Sequence, residues 1–385
     1  MKRPATNPIH LAVDKIDHVV PAGRQVVIRT FPDFDDQSRE VGAALAARGI
    51  PITLLVDDLR SPSPPLDFPC RIVRSTSIAA AWAFWRAAVV VHTHGVYGSI
   101  AGSRGKRFVN LWHGMPVKRL PDDTDLGHNQ TDVTFATSRL HAANLAATWQ
   151  LDEEQVHVVG LPRNDALVRS QEPGRTGTEV EAPLALWLPT FRSRPHRPDE
   201  LDGTDIGTVT QFEGADLDRV DELAGRSGFH ILIKPHPAAA PPRAMHLDHV
   251  TVWGNEELRS NGWTLYRLLA RADLLITDVS SVWIDYLALD RPILFAMSDR
   301  DEYLAGRGSY FDDLDDLVPG TICEDFEQLD AALMAHKGGA DPWAEERRRA
   351  RRMHHSVEPG SAAAHVADIV VRFLDHPPRR AQRSK

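Results

Sequence analysis

The feature that most constrains this chain is an alternation, sustained through most of its length, between short continuous apolar runs and stretches with helical spacing. Val26 to Ile28, Ile52 to Val56, Val89 to His92, Phe108 to Leu111 and Val133 to Ala136 read as strands in the first half. Leu184 to Leu188, Ile231 to Lys234, Leu274 to Ile276 and Ile293 to Phe295 do so in the second. Runs without polar alternation suit strands buried on both faces, as in a parallel sheet covered by helices. Helices are expected at Arg39 to Ala47, Ser138 to Thr148 with Ser138 as cap, Leu265 to Ala270, Val282 to Leu289 and Phe326 to His336. Between the two series, Gln171 to Glu181 mixes proline, glycine, threonine and charge without periodicity and reads as a linker. At 385 residues the chain is also too long for one ordinary core. The expectation is an α/β chain of two doubly wound, Rossmann-type domains facing a central cleft. Its parts would be residues 1–170, a linker at 171–182, residues 183–357, a C-terminal helix at 358–375 and a basic tail at 376–385.

Composition narrows the function by exclusion. A formal net charge of −9 leaves no broad electrostatic footprint for nucleic acid. Cys70 and Cys323 match no metal or redox spacing, which fits a reducing cytoplasm. Met1 to Pro21 lacks the apolar segment of a secretion signal. The most apolar window, Ile78 to Val91, is interrupted by Arg86, too short to span a bilayer, and reads as a buried helix running into a buried strand. One local asymmetry stands out: Arg347, Arg348, Arg349, Arg351 and Arg352, then Arg379, Arg380, Arg383 and Lys385. These suit a solvated helix face with a basic tail, or a patch touching anionic lipid head groups.

The chemistry is concentrated in turns that follow strands. Thr277-Asp278-Val279-Ser280-Ser281 follows one strand and opens a helix, so orphan backbone N–H groups and serine hydroxyls would face a phosphate there. The alternative is that Asp278 and Ser280 only cap the helix. Lys234-Pro235-His236-Pro237 is a stiff basic turn after another strand, suited either to phosphate or simply to a rigid bend. Arg163 and Asn164, after Gly160-Leu161-Pro162, form a comparable turn whose guanidinium could grip phosphate in bidentate fashion. In the first half, Trp112-His113-Gly114-Met115-Pro116 ends a strand with an imidazole suited to general-base work on a hydroxyl. His92 and His94 have the spacing of a metal pair, but no nearby carboxylate or cysteine completes a site. The long polar loop Arg192 to Asp205 has a length found in functional or disordered segments. No Gly-x-Gly-x-x-Gly, P-loop or Gly-x-Ser-x-Gly occurs, which argues against dinucleotide enzymes, NTPases and serine hydrolases.

At these residues the chain resembles the CDP-glycerol glycerophosphotransferase family, the teichoic-acid primases and polymerases, over about Asp33 to Asp330. Seven ordered segments carry the likeness, among them Asn110-Leu111-Trp112-His113-Gly114-Met115-Pro116-Val117-Lys118, Gly160-Leu161-Pro162-Arg163-Asn164-Asp165 and Leu188-Pro189-Thr190-Phe191-Arg192. Lys234-Pro235-His236-Pro237, the run Ala272 to Tyr286, Arg291-Pro292-Ile293-Leu294-Phe295 and Arg307-Gly308-Ser309-Tyr310 complete it. Met115, Val279 and Lys234 depart from the residues most usual at those places.

The resemblance implies a GT-B fold and transfer of glycerol phosphate, or a related alditol phosphate, from a CDP-linked donor to an acceptor hydroxyl, releasing CMP. It implies His113 and His236 as catalytic residues. Arg163, Thr190, Arg192, Lys234, Asp278, Ser280, Ser281 and Arg307 would then bind the donor. No cofactor is firmly implied; a diffusible Mg²⁺ carried by the nucleotide is compatible, and no protein-held metal is expected. The acceptor would be a lipid-linked or polymeric glycan, reached from the cytoplasm or by peripheral contact with an anionic membrane. Two other readings stay open: a GT-B nucleotide-sugar glycosyltransferase, and a non-catalytic protein that binds a phosphorylated polymer.

Overall fold

The computed structural model describes residues 20–60, 63–96, 105–117, 131–170, 182–190, 210, 212–213, 215–236, 245–300 and 318–376. Arg192 and Arg307, the linker through residue 181 and the basic tail after residue 376 lie outside the described residues.

Two seven-stranded sheets organise the described residues. The first contains β1 (Gly23–Arg29), β2 (Ile52–Val56), β3 (Arg71–Arg74), β4 (Ala87–His92), β5 (Arg107–Asn110), β6 (Val133–Ala136) and β7 (Val156–Val158). They run in the order β3-β2-β1-β4-β5-β6-β7, all parallel. The second contains β8 (Leu184–Leu188), β9 (His230–Ile233), β10 (Met245–His246), β11 (Val250–Val252), β12 (Leu274–Thr277), β13 (Ile293–Ala296) and β14 (Thr321–Cys323), in the order β10-β11-β9-β8-β12-β13-β14. Only its edge strand β10 is antiparallel.

The strands form where they do because their side chains alternate between two covered faces. Val26 and Ile28 enter one apolar cluster while Val27 enters another, and Leu275 is separated from Leu274 and Ile276 in the same manner. Helices supply the covers in the first domain: α1 (Asp36–Ala46), α2 (Ile78–Arg86), α3 (Arg139–Trp149) and α4 (Pro162–Arg169). The Ser138 hydroxyl accepts from the His141 N–H and so caps α3. In the second domain they are α5 (Leu217–Ser227), α6 (Asn255–Ser260), α7 (Leu265–Arg271), α8 (Val282–Tyr286) and α9 (Phe326–Lys337). The largest apolar cluster includes Val26 and Leu111 of one domain and Leu275 and Trp283 of the other, so the core continues across the domain boundary.

Two last helices, α10 (Ala344–His354) and α11 (Ala362–Asp375), bring the chain back to the first sheet. α11 packs on α1, α4 and β4. Asp165 of α4 accepts from the backbone N–H groups of Gly360, Ala362 and Ala363, satisfying the start of α11. α10 is fastened to α3 by His354 Nδ1 and His141 Nε2, 2.9 Å apart and both buried. Burial lowers the pKa of each imidazole.

Several expectations need correction. The helix expected over Val282 to Leu289 is α-helical only through Tyr286 and tightens into a 3₁₀ turn at Leu287–Leu289. Arg163 does not lie in a loose turn: Pro162 occupies the first helical position, where its missing N–H costs nothing, and Arg163 follows inside α4. The apolar window at Ile78 is a helix buried on one face only, with Ile78 89% and Trp82 54% exposed. The arginine cluster on α10 also carries its own counterions. Arg347 is 2% exposed and lies between Asp290 and Asp341 at 3.0 and 2.7 Å. Arg348 pairs with Asp290 and Glu345, and Arg351 with Glu358. Among the described residues, no helix is long and apolar enough to cross a membrane.

Candidate active site

In an open α/β sheet, ligands bind beyond the carboxyl ends of strands, where the strand order reverses. That reversal falls between β1 and β4 in the first sheet and between β8 and β12 in the second. The described residues among those singled out from sequence, Arg163 in α4 apart, lie in the turns after these strands and their neighbours.

On the first wall, β5 runs into Trp112-His113-Gly114. Trp112 has φ of 55° and Gly114 of 139°, so this turn uses backbone conformations that need support. Its supports are visible. Asn110 Oδ1 accepts from the Trp112 N–H, and Gln37 Nε2, from α1, donates to the carbonyls of Leu111 and Trp112 at 3.2 and 3.1 Å. His113 projects outward into solvent. Its ring lies against Trp112, with centroids 3.8 Å apart, and stacks on His94, with centroids 4.3 Å apart and 10° between planes. His94 comes from the turn after β4 and its Nδ1 is 2.9 Å from Thr93 Oγ1. Desolvation by the surrounding wall and then the charge of Arg29 push the His94 pKa down. His92, its partner in the metal-type spacing, is buried and accepts the Gly95 N–H on Nδ1. Among the described residues, no group of three or more metal-ligating side chains forms.

On the second wall, Asp278 clips together the turns on either side of the strand reversal. Its Oδ2 accepts from Thr190 N and Thr190 Oγ1 at 2.9 and 2.6 Å, and its Oδ1 accepts from Ser280 N at 3.0 Å. Asp278 is buried, so the pair with Thr190 shapes the turn, while Ser280 and Ser281 are half-buried residues and the Ser280 hydroxyl accepts from Val282 N at 3.5 Å. With five residues, α8 contributes little helix dipole at this turn. Lys234 follows β9 and is 4% exposed, with Nζ donating to the Pro235 carbonyl at 2.9 Å. Burial, and then Arg259 of α6, push its pKa down to about 7. His236 sits half-buried two residues further on.

The walls meet at Gly114. A Cβ there would lie 2.4 Å from Ser281 Oγ and 2.8 Å from Arg163 Nη2, so only glycine lets the His113 turn approach this closely. Arg163 is the correction of most consequence. Its Nη1 donates to the His113 carbonyl at 2.8 Å and its Nη2 to Asp285 Oδ2 at 2.5 Å, while its guanidinium covers the Tyr266 ring at 5.0 Å. A guanidinium committed to these protein groups is not aimed at a donor phosphate. Burial works against its charge, but Asp285 and Tyr266 outweigh that and raise its pKa.

Sequence reasoning missed Asp285, Tyr266, Asp36 and Arg259. Asp36 spans the domains, accepting from Thr264 Oγ1 at 2.5 Å and Tyr266 N at 3.0 Å. The signal present was a carboxylate inside an apolar helix at Asp285, which demands a partner. Nothing local identifies which one.

The exposed His113 stands after a strand of the first sheet, and the half-buried Ser280 and Ser281 and the buried Lys234 follow strands of the second. Comparison with known proteins bears on their use. A family model described as CDP-Glycerol:Poly(glycerophosphate) glycerophosphotransferase matches residues 59–372. A teichoic acid ribitol-phosphate primase of Bacillus spizizenii is 25% identical over 257 residues, covering 64% of this chain and 61% of its own. A teichoic acid poly(glycerol phosphate) polymerase of Staphylococcus epidermidis is 25% identical over 296 residues, covering 68% of this chain and 38% of its own. The chain thus spans less than two thirds of these relatives. Among solved structures, the wall teichoic acid polymerase TagF superposes with a TM-score of 0.75 at 18% identity, over 95% of this chain and 93% of that one. A TagF variant soaked with CDPG gives 0.74 at 21% identity, over 95% and 92%. These likenesses show the fold, which is GT-B-like.

Proposed function

The chain belongs to the CDP-glycerol:poly(glycerophosphate) glycerophosphotransferase family, and from that premise we propose that it transfers glycerol phosphate, or a related alditol phosphate, from a CDP-linked donor to a glycan hydroxyl in teichoic-acid-type polymer synthesis. The domain built on the first sheet takes the acceptor and the domain built on the second takes the donor. His113 accepts the proton of the acceptor hydroxyl. The acceptor oxygen bonds to the phosphorus that carries glycerol, the bond from that phosphorus to the bridging oxygen breaks, and CMP leaves with the electron pair. Phosphoryl transfer is largely positioning and charge stabilisation. Ser280, Ser281, Lys234 and His236 supply this around the diphosphate, with Arg192 and Arg307 as further proposed donor contacts. Asp278 and Thr190 hold the donor turn in shape.

One observation supports the reading above the others: the His113–Gly114 turn lies against Ser281, which joins the proposed base to the proposed phosphate turn. The acceptor is proposed to be lipid-linked or polymeric, and any contact with an anionic membrane falls to the exposed Arg348, Arg349 and Arg352 of α10. Mass spectrometry of products from a panel of CDP-alcohols and nucleotide sugars tests the reaction. CMP and a phosphoalditol-extended acceptor are expected. Release of UDP or GDP would instead make the protein a glycosyltransferase, and binding without any product would make it a polymer-binding protein.

A further inference from the structure

We propose that Asp285, acting through Arg163, is a positioning residue for His113, setting the base against the donor turn only while the two domains are closed on each other. The inference rests on the reading of His113 as the base. Arg163 stands on α4 in the first domain and Asp285 on α8 in the second, with side chains 10% and 1% exposed. A buried ion pair is weak evidence of stabilisation, since apolar replacements of similar volume are often neutral or better. Its geometry says more about its use. The planar guanidinium sends one Nη to Asp285 across the boundary and the other to the carbonyl of His113 within its own domain. Tyr266 OH donates to the same Asp285 Oδ2 at 2.7 Å, fixing the carboxylate from behind. Asp36 in turn holds the Tyr266 backbone from the first domain.

The turn held at the end of this relay is strained at Trp112, a non-glycine residue with φ of 55°. Gln37 pins its carbonyls from within the first domain, and its Oε1 accepts from Arg163 N at 3.2 Å. Arg163 therefore links the second domain to the His113 carbonyl, beside the direct approach of Ser281 to Gly114. Separation of the domains would break the Asp285 contact and that approach together. A lysine at 163 would supply a point charge without the two directions.

Asp285→Asn would take the paired carboxylate from a buried guanidinium and destabilise the fold, so a loss of activity in it would not separate positioning from stability. The informative variant is the double exchange Arg163→Met with Asp285→Leu, which removes both charges and keeps volume, accompanied by Tyr266→Phe. Thermal unfolding establishes that the double variant folds. CDP-glycerol affinity by calorimetry is expected to stay within about threefold of wild type, while the rate of CMP release falls by at least about 30-fold, with a smaller loss for Tyr266→Phe. A second measurement needs no substrate. Spin labels at Glu154→Cys and Glu222→Cys, with Cys70→Ala and Cys323→Ala, report the distance between the domains, and its distribution should broaden in the double variant. A wild type that releases no CMP from CDP-glycerol would sink the proposed reaction but not this measurement. A double variant with the wild-type rate, or with an unchanged distance distribution, overturns the role of Asp285.

Discussion

The imidazoles of His94 and His113 lie face to face, 4.3 Å apart and 10° from parallel, although they come from turns after different strands. The depressed pKa of His94 keeps that ring uncharged near neutrality, so the stack fixes the orientation of His113 without placing a second positive charge beside it. His113→Ala should lower turnover by ~10²–10⁴ and leave CDP-glycerol affinity nearly intact. His94→Leu removes the stack together with the His94–Thr93 contact and should cost about tenfold in turnover. Steady-state rates and calorimetry on both variants check this. A wild-type rate in folded His113→Ala would remove that residue from the mechanism.

The donor side makes a separate prediction. Ser281→Ala and His236→Ala should each weaken CDP-glycerol binding by about 1.5–3 kcal/mol, the worth of a charge-assisted hydrogen bond. Lys234 adds a pH dependence, because its pKa of about 7 lies well below the ordinary ammonium value. A diphosphate favours the protonated form, so affinity should decline as pH rises above 7, and Lys234→Met should flatten that decline. The unliganded protein behaves in the opposite sense: the unfolded chain holds more protons from pH 7 up to the ordinary lysine value, so stability contributed by this group rises across that window. Equal affinities for wild type and all three variants would place the diphosphate elsewhere.

What sequence could and could not reveal follows from locality. Central strands such as β4 and β12 were legible because burial on both faces leaves an uninterrupted apolar run. The edge strand β3 was not, since Arg71 and Arg74 are exposed and no such run exists. β7 hides similarly in three residues around His157. The turns bearing His113 and Ser280 were legible through their glycine, proline and hydroxyl content after a strand. Asp285 and Tyr266 were not, because their roles depend on Arg163, more than a hundred positions away along the chain.

The buried pair His141 and His354 predicts acid sensitivity. Burial holds both pKa values below the ordinary 6.5, so as pH falls below about 6.5 the unfolded chain takes up protons that the folded state excludes. Stability should therefore drop in that direction. Replacing both with leucine should reduce the slope, as read from urea midpoints between pH 7.5 and pH 5. An unchanged slope would assign the sensitivity to other groups.

Membrane contact can be tested against the correction on α10. Arg347 is held inside by Asp290 and Asp341, so the patch is reduced to arginines that partly face acids of their own. Flotation with anionic liposomes should be modest at low salt and vanish as salt rises. Exchange of Arg348, Arg349 and Arg352 for glutamine should abolish it without lowering the unfolding temperature. Strong flotation that survives this exchange would locate the contact elsewhere on the protein.

Gly114 gives the sharpest steric test. Alanine there would take an unfavourable φ of 139° and also place its Cβ 2.4 Å from Ser281 Oγ, so either the His113 turn or the donor turn must move. Gly228, which ends α5, is a matched control with φ of 79° and no atom within 4 Å of an added Cβ. Both substitutions should cost roughly 1 kcal/mol of backbone strain, visible in thermal unfolding. Only Gly114→Ala should also lower turnover, by ~10²-fold, since a misplacement of about 1 Å at a reacting group has that effect. If the two variants lost stability equally and both kept wild-type rates, close contact between the walls would have no part in the reaction.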